Sequence, residues 1–503
     1  MLGGASKSNS RARSRVVANF PDLQPSYRGS DAVKSLIRSL SGGGDARITL
    51  DPESGLNRYL AGPYPRETLA FASSTANDMS APAFDHLLAL REAGMLPYCE
   101  HLAALRQRVL SACGVDAGAG VVFAPSGTDL EYVALAAVAG RGQAGTHNIL
   151  LGADEVGSGC IHSASGRYFA KETALDKAAE PGEPVEGLGR VTLVDIPVRC
   201  QAGEALSSRA IGVLIRSELI VAASQRQHAL LHVVHGSKTG LILPKLREID
   251  ALREEFGDRL TLVVDACQAR ITGEAVRDYL ARGAIVFITG SKFMGGPPFS
   301  GFALVPNTVR DAASPLPIGF ASIFRRAEWG EGWAGRDHLK DTSNPGLALR
   351  LEASIFELER FARLDAPTVE RVIQAFQAAI GDLLVDRLGF PVVLPYARGN
   401  LHDAKEHPIE MLSLATLDIS RHPGAHTFEQ AQAVYRSLDQ LGLRLGQPVK
   451  CVRLPSREWG GTLRVGLSMP QVTEFATLPG DRLDRVLSDC IGRFADALAV
   501  PAV

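Results

Sequence analysis

Short runs of consecutive apolar residues recur between residues 98 and 305, and stretches with helical spacing separate several of them. Such a run, bounded by polar residues or glycine, is typical of a strand that is covered on both faces. Helical patterns at 130–140 and 246–256 lie between these runs. The alternation predicts an α/β fold with a mainly parallel sheet flanked by helices. The predicted strands are residues 121–123, 148–151, 191–194, 230–234, 260–264, 285–288 and 302–305.

The pattern changes after this region. A long helical stretch over 347–364 leads away from the predicted sheet, and helices and strands then mix. This predicts a connecting helix followed by a smaller α+β C-terminal domain. The predicted later helices are 368–388, 428–441 and 481–497, and the predicted later strands are 411–417 and 463–467.

The predicted domain organisation has three parts. Residues 1–50 are an N-terminal extension, 51–345 a large α/β domain, and 346–503 the connecting helix with the small domain. Flexibility is expected in the extension because 6–15 is rich in Ser and Arg, and because 41–44 (SGGG) is typical of a hinge. The extension is expected to be frayed or to pack as an arm on a partner, and a transit peptide is the alternative interpretation of 6–15. A secretory signal is excluded by the lack of an apolar core.

Composition narrows the function classes. The 503 residues carry 53 Lys and Arg against 55 Asp and Glu, a net charge of −2, which argues against binding to nucleic acid or an anionic membrane. No apolar run approaches the ~18 residues of a membrane helix. The seven cysteines are scattered and never spaced as CxxC, a pattern typical of the reducing cytoplasm. We therefore expect a cytoplasmic protein that acts on a small molecule.

The first segment with candidate chemistry is the turn Ser126-Gly127-Thr128, between a predicted strand and a predicted helix. A helix N-terminus offers free backbone N–H groups to a phosphate, and the two hydroxyls add further hydrogen bonds. The same residues are also compatible with a plain helix cap.

Two further candidates follow later predicted strands. Asp265 ends an apolar run, where open α/β sheets bind ligands, although an Asp there can also cap the next helix. Lys292 follows another apolar run and is flanked by Thr289 and Ser291. Schiff-base chemistry suits a lysine in apolar surroundings because desolvation favours the neutral amine. The alternative is a surface lysine in a turn.

Together the three segments indicate one cofactor. The order is a hydroxyl- and glycine-containing turn, then Asp265, then Lys292, 27 residues later (292 − 265). An enzyme that uses pyridoxal 5′-phosphate (PLP) needs an anion cradle, an acid beside the pyridine nitrogen and a lysine for the Schiff base. The sequence therefore predicts PLP as the cofactor, and it predicts no metal.

From about residue 57 onward, the chain resembles the fold-type I PLP enzymes, and most of all the class V aminotransferases and cysteine desulfurases. Residues 264–268 (VDACQ) are similar to the family's D-A-x-Q segment, and 289–292 (TGSK) to its S-G-H-K segment. Residues 126–129 (SGTD) are similar to its phosphate turn, and 235–240 (HGSKTG) to its N-x-x-G strand end.

This resemblance implies roles for single residues. Lys292 would be the Schiff-base lysine and general acid/base, and Asp265 would pair with the pyridine nitrogen. Residues near the ring's phenolic oxygen would be Gln268 and Ser237. The phosphate contacts would come from Thr128, Thr289 and Ser291, beside Ser126 and Gly127.

Two more segments carry implied roles. Residues 342–345 (TSNP) resemble the segment that reaches the neighbouring subunit's phosphate, which implies a homodimer with shared sites and a cofactor contact from Thr342. Residues 463–468 resemble the strand that bears the arginine for the substrate carboxylate, here Arg464. A guanidinium suits this role through its bidentate geometry, while an ordinary ion pair is the alternative.

The sequence also departs from the family pattern. Val156 stands where a His or an aromatic residue usually stacks on the ring, with His162 as the alternative, and Ser291 and Ser237 stand where desulfurases carry His and Asn. Residues 400–423 hold no cysteine, and Cys451 lies in a predicted core strand, which disfavours persulfide chemistry.

We therefore predict a PLP-dependent enzyme that acts at Cα of an amino acid or related amine, most simply an aminotransferase. A lyase, a decarboxylase, a carbon–carbon bond-forming enzyme and a non-catalytic PLP-binding protein are the alternatives. The aromatic residues of 320–333 would wall the substrate pocket or form interface core. The acidic and histidine residues of 402–407 are expected to form a solvated loop rather than a metal site.

Overall fold

The computed structural model describes residues 20–72, 74–153, 155–156, 160–400 and 405–499 of the chain. The strands are β1 (Leu69–Phe71), β2 (Ala119–Ala124), β3 (Thr146–Leu151), β4 (Val191–Ile196), β5 (His228–His235), β6 (Ile242–Leu243), β7 (Leu260–Asp265), β8 (Ile285–Thr289), β9 (Gly301–Pro306), β10 (Leu414–Asp418), β11 (Leu443–Leu445) and β12 (Thr462–Gly466). The α-helices are α1 (Asp31–Leu40), α2 (Ala81–Ala93), α3 (Tyr98–Ala112), α4 (Gly127–Val138), α5 (Cys160–Ala164), α6 (Ser208–Ser224), α7 (Leu246–Phe256), α8 (Gly273–Ala281), α9 (Asn307–Asp311), α10 (Pro345–Phe361), α11 (Ala366–Ile380), α12 (Phe428–Gln440), α13 (Met469–Phe475) and α14 (Gly480–Ala499).

The large sheet has the strand order β2-β9-β8-β7-β5-β3-β4, and the short β6 pairs antiparallel with β5. Strands β8, β7, β5, β3 and β4 are mutually parallel, whereas β9 runs antiparallel to both β8 and β2. Each of the seven apolar runs in the sequence forms one of these strands. The prediction of a mainly parallel sheet flanked by helices is confirmed.

Both faces of this sheet are buried, which explains why its strands are continuous apolar runs. Every residue of β5 is buried. Leu231 and Val233 of β5 belong to one apolar cluster, with residues of α3, α6, α7 and α8, while Leu230 belongs to a second cluster that includes α4. The helix α4 is buried along nearly its whole length, so its N-terminus is fixed at the sheet edge.

The C-terminal elements form two small sheets. Strand β10 pairs antiparallel with β12, and β11 pairs in parallel with β1 from the N-terminal part of the chain. Two predicted elements differ from the structure. The predicted helix 368–388 is α11 continued by a π-helical turn, Gly381–Asp386, and the predicted strand 411–417 is a 3₁₀ helix, Ile409–Ser413, followed by β10.

The N-terminal extension is packed from residue 20 onward. Helix α1 buries Val33, Leu36, Ile37 and Leu40, spaced to share one helical face, against α2 and α10. Ser30 caps the helix by accepting a hydrogen bond from the Val33 N–H. The Ser- and Arg-rich stretch 6–15 lies outside the described residues.

Two of the glycines at 42–44, a stretch expected to form a flexible hinge, are held by hydrogen bonds: Gly42 and Gly43. Arg350 of α10 donates from Nη1 to the carbonyls of Leu40 (2.8 Å) and Gly42 (2.6 Å), and from Nη2 to that of Gly43 (3.1 Å). Asn344 donates to the same Gly43 carbonyl. Gly43 has a φ of +66°, a conformation that favours glycine, and an added Cβ would collide with the Asn344 side chain. A glycine at this position therefore lets the chain pack closely against Asn344.

The aromatic residues of 320–333 form core within this chain, which corrects both interpretations made from the sequence. Trp329 is fully buried and contacts Phe320, Phe324 and Trp333 edge-on or tilted. Phe320 in turn contacts Tyr132 of α4. These rings stabilise the helix whose N-terminus faces the candidate site. Among the described helices, none combines the length and apolar character needed to cross a bilayer.

Replacing Arg350 tests how strongly this attachment stabilises the protein. Arg350→Met would leave several buried carbonyl oxygens without a donor, and we expect the free energy of unfolding to fall by at least about 2 kcal/mol. Urea unfolding followed by circular dichroism measures the loss. Arg38→Met, on the exposed face of α1, is the control and should change stability by less than about 0.5 kcal/mol. Equal stability of the two variants would contradict this view of Arg350.

Candidate active site

A cavity of about 1120 Å³ opens at the carboxyl ends of β7 and β8, next to the turn between β2 and α4. This is the edge at which α/β sheets bind ligands. Ten of the twelve site residues expected from the sequence line the cavity: Ser126, Gly127, Thr128, Val156, Asp265, Gln268, Thr289, Ser291, Lys292 and Arg464.

The turn Ser126-Gly127-Thr128 forms the N-terminus of α4. Ser126 is the N-cap residue, and its side chain accepts a hydrogen bond from the Asp129 N–H. A Cβ at Gly127 would meet the Thr289 methyl group at 3.0 Å, so a larger residue here would require Thr289 to shift. Free N–H groups, hydroxyls and the positive end of the helix dipole make this turn suited to an anion.

Arg47, which no motif in the sequence indicates, reaches the same turn from the N-terminal segment. Its Nη1 lies 3.4 Å from Thr128 Oγ1, and its Nη2 lies 3.5 Å from Ser126 Oγ. The guanidinium is ion-paired with Asp45 (2.7 Å) and lies over the rings of Phe169 and Phe299. These contacts fix a positive charge beside the anion-binding turn before any ligand is present.

Asp265 and Lys292 come from neighbouring parallel strands. Asp265 ends β7, in register with Phe287 of β8, and its Oδ1 accepts a hydrogen bond from the Cys267 N–H (3.0 Å). Lys292 lies three residues beyond β8, and its carbonyl accepts a hydrogen bond from Asn77 (2.7 Å). Both side chains therefore line the same cavity from one sheet edge.

A buried acidic residue lies behind Asp265. Burial, and then the charge of Asp265, hold the pKa of Glu131 well above its usual range. His232 Nε2 lies 3.5 Å from Glu131 Oε2, and burial lowers the pKa of His232 to about 3. Burial therefore favours the uncharged form of both Glu131 and His232. Sequence analysis did not single out Glu131, because it lies within a continuous helical pattern.

Two more cationic residues, Arg464 and Lys238, line the cavity. Arg464 of β12 is buried, its Nε donates to the Gln447 carbonyl (2.8 Å), and its Nη1 lies 3.4 Å from the Lys238 carbonyl. Lys238 follows β5 and lines the cavity too. Burial, and then the charges of Arg464 and Lys292, lower the pKa of Lys238 to about 8. Sequence analysis did not single out Lys238, because it lies in the middle of the N-x-x-G-like segment.

Known proteins resemble the chain in structure rather than in sequence. No family model and no curated sequence matches it. A cysteine desulfurase from Escherichia coli has a TM-score of 0.53 at 16% identity, covering 87% of this chain and 96% of the other. A cysteine desulfurase from Thermococcus onnurineus (0.51, 16% identity) covers 86% and 95%, and an aspartate aminotransferase from Thermus thermophilus (0.51, 14% identity) covers 86% and 99%. The chain has the fold of the fold-type I, class V PLP enzymes.

Two expected site residues do not line the cavity. Ser237 is buried, and its hydroxyl donates to Glu155 (2.8 Å) instead of facing the cavity. Thr342 is exposed on the surface of the chain. Ser237 is part of a buried hydrogen-bond network, and Thr342 lies outside the chain's own cavity.

Both candidates for the ring-stacking residue line the cavity. Val156 and His162 each contribute to its wall, together with Cys160 of α5.

Some residues named in the sequence analysis lie outside the described residues. They are residues 154 and 157–159 around Val156, and His402 and Asp403 of the segment 402–407. Cys451 is buried, as expected, although it lies between strands rather than within one.

Glu155 organises the turn that carries Lys238. Its carboxylate accepts hydrogen bonds from Ser237 and Thr239 (2.8 Å each) and is ion-paired with Arg199 (2.5 Å). Arg199 also donates to Thr239 (2.7 Å). Because both members of the ion pair are buried, each depends on the other for its charge compensation.

Removing one member of this pair should therefore be costly. We expect Arg199→Met to lower the free energy of unfolding by about 3 kcal/mol, because it leaves the Glu155 charge buried and unpaired. Adding Glu155→Gln should restore part of the loss. Guanidinium unfolding measures both changes, with Arg216→Met, which breaks the exposed Arg216–Glu255 pair, as a control of small effect. A double variant no more stable than Arg199→Met would refute this account.

Proposed function

We propose that the protein is a PLP-dependent enzyme that acts at Cα of an amino acid or related amine, most simply an aminotransferase. The observation that carries this proposal is the convergence of three groups on one cavity in this fold. They are the Ser126–Thr128 turn, the Asp265 carboxylate and the Lys292 amine. The solved structures of this fold named above include both aminotransferases and desulfurases, so the reaction is argued from the site.

The residues of the cavity fit PLP. The Gly127 cradle, the hydroxyls of Ser126, Thr128, Thr289 and Ser291, and the α4 N-terminus would hold the phosphate. Arg47 adds a guanidinium on the same side, and phosphate and guanidinium form strong charge-assisted hydrogen bonds. Asp265 would hold the pyridine nitrogen, with Gln268 beside the ring, and Lys292 would bind the aldehyde carbon.

Bound there, PLP would supply an electron sink for negative charge at the substrate Cα. Asp265 would keep a proton on the pyridine nitrogen. Lys292 would carry the proton to and from Cα. Arg464 would hold a substrate carboxylate, because its guanidinium forms no ion pair with a carboxylate of the described residues. One lysine that moves a proton between two carbons suffices for amino transfer, which makes this the simplest reaction.

Persulfide chemistry is not favoured by the cysteines of the cavity. Cys160 and Cys267 line it, and burial holds the pKa of each thiol well above its usual range. A thiol rather than a thiolate is a poor nucleophile. Burial also raises the pKa of Cys451 to about 12. We further infer a homodimer, since the exposed Thr342 would meet the cofactor phosphate of a second copy.

The first test is a visible spectrum of the purified protein with PLP. We expect an absorption band near ~420 nm that borohydride reduction fixes to Lys292, because the lysine amine binds the cofactor aldehyde. Lys292→Ala should lack the band, whereas Lys34→Met on the surface helix α1 should keep it. Absence of a band with added PLP, or a band that survives Lys292→Ala, would overturn the proposal.

A panel of amines would then identify the reaction from its products. A keto acid indicates amino transfer, whereas carbon dioxide or an eliminated group indicates decarboxylation or elimination. Binding without any product would indicate the non-catalytic alternative.

The second test concerns the phosphate. Arg47→Ala should raise the Kd for PLP about tenfold or more, because it removes a charge-assisted contact worth roughly 1.5 kcal/mol or more. Titration of the apoprotein, followed by fluorescence, gives the Kd. The affinity for pyridoxal, which lacks the phosphate, should be unchanged. Arg58→Ala, at the exposed mouth of the cavity, is the matched control. An equal loss of affinity for PLP and pyridoxal would contradict the phosphate contact.

A further inference from the structure

A buried carboxylic acid is hydrogen-bonded to the anion-binding turn, and the proposed function does not use it. Asp129 is the third residue of α4 and is only 6% exposed. Its Oδ2 accepts a hydrogen bond from Ser126 Oγ at 2.5 Å. Asp129 also lines a small cavity of about 20 Å³, which is large enough for one water molecule. A proton can therefore reach this carboxylate from solvent.

The hydroxyl of Ser126 has a single hydrogen to donate. In the free protein this hydrogen is donated to Asp129, so it is not available to an anion in the large cavity, which Ser126 lines. If Asp129 carries a proton, the acid can donate to Ser126 Oγ instead, and the serine hydrogen can turn toward the cavity. The protonation state of Asp129 thus decides whether Ser126 offers a donor to the anion.

The charges around the turn favour the same proton. Arg47 is the cation at the turn, and Asp45 already compensates it through an ion pair of 2.7 Å. An ionised Asp129 would give these three groups a net negative charge beside the place where a phosphate dianion would bind. Burial, opposed by the Ser126 hydrogen bond and by Arg47, raises the pKa of Asp129 to about 6. The acid is therefore mostly ionised at neutral pH but close to taking up a proton.

Other ionisable groups face Asp129 from α4, from the N-terminal segment and across the small cavity. They are Arg47, Asp45, Tyr132, Tyr168 and Glu172. Burial raises the pKa of Tyr132 above its usual range, so this phenol stays neutral at neutral pH. Asp45 and Glu172 also carry carboxyl groups, so a test of Asp129 requires a variant at Asp129 itself and a control at another acid.

Resting on the proposed function, we infer that binding of the cofactor phosphate is coupled to the uptake of one proton by Asp129. The proton comes from solvent and binds to the carboxylate, where it removes a negative charge beside the phosphate. It also frees the Ser126 hydrogen for a hydrogen bond to the phosphate. Asp129 is thus a positioning residue, which acts on the phosphate through Ser126.

This coupling has a definite sign. Because a bound dianion favours the protonated acid, the pKa of Asp129 is higher in the complex than in the free protein. The affinity for a dianion should therefore rise as the pH falls from 8. It should level off below about pH 6, where Asp129 is protonated even in the free protein.

Sulfate is the probe for the test, because it stays a dianion over this pH range whereas the phosphate of PLP does not. Isothermal titration calorimetry of the full chain without PLP gives the Kd for sulfate. We expect the Kd to be about tenfold or more lower at pH 6 than at pH 8. At pH 7, titrations in two buffers of different ionisation enthalpy should show proton uptake. Equal Kd values, no proton uptake or no saturable binding would overturn the inference.

Asp129→Asn assigns the coupling to this carboxyl group. The amide is uncharged and can donate to Ser126 Oγ, as the protonated acid does. The variant should bind sulfate at pH 8 about as tightly as the wild type does at pH 6, whereas the loss of a merely structural residue would weaken binding at both pH values. An unchanged pH dependence in Asp129→Asn would overturn the role of Asp129.

Glu172→Gln is the matched control, because it removes a negative charge from an exposed position on the wall of the same small cavity. It should keep the pH dependence of the wild type. The proton uptake of the wild type remains decisive if Asp129→Asn does not fold.

These results separate the inference from the function on which it rests. A Lys292-dependent visible band together with sulfate binding that is independent of pH refutes only the proton coupling. A protein without that band refutes the PLP enzyme itself.

Discussion

The parallel pairing of β7 with β8 is the constraint on which the candidate site depends. Register places Asp265 beside Phe287, so the chain leaves both strands at one edge of the sheet. Asp265 and Lys292 meet there although 26 residues separate them, because α8 returns the chain to the start of the next strand. Burial of the strands on both faces makes a slip of register costly. The positions of Asp265 and Lys292 in the cavity are therefore set by the pairing of β7 with β8 rather than by contacts between the side chains of the cavity.

A second attachment brings the N-terminal segment to the same place. Arg350 and Asn344 bind the carbonyls of residues 40–43, and the chain then runs directly to Asp45 and Arg47 at the cavity. A fully buried arginine is costly to desolvate, and burial lowers the pKa of Arg350 to about 9. That cost is offset by four hydrogen bonds to carbonyl oxygens, the fourth from Phe299, whose ring lies under Arg47. Helix α10 thus both stabilises the fold and holds the segment that carries Arg47 next to the candidate phosphate site.

Local pattern was enough to predict the strands of the large sheet, and ten of the twelve site residues expected from the sequence line the cavity. The buried strands of the large sheet are visible in the sequence as continuous apolar runs. Asp265 stands at the end of one of these strands and Lys292 just after the end of another. What could not be predicted depends on contacts distant in sequence. Arg47 meets Thr128 across 81 residues, and the glycines near it resemble a linker until Arg350 binds their carbonyls. The contact of Ser237 is of the same kind, since its hydroxyl donates to Glu155 from another part of the chain.

Ionisable side chains in and around the site come from two parts of the fold, the large sheet with its flanking helices and strand β12. Burial, and then the charge of Asp265, hold the pKa of Glu131 well above its usual range, and burial lowers the pKa of His232 to about 3. Strand β12 and the turn after β5 bring the Arg464 guanidinium to the Lys238 carbonyl, and burial, then Arg464 and Lys292, lower the pKa of Lys238 to about 8. Burial thus opposes the charged forms of Glu131 on the sheet side and of Lys238 and Arg464 alike. The same burial means that an electrostatic interaction with a ligand in the interior of the cavity is screened only weakly by water.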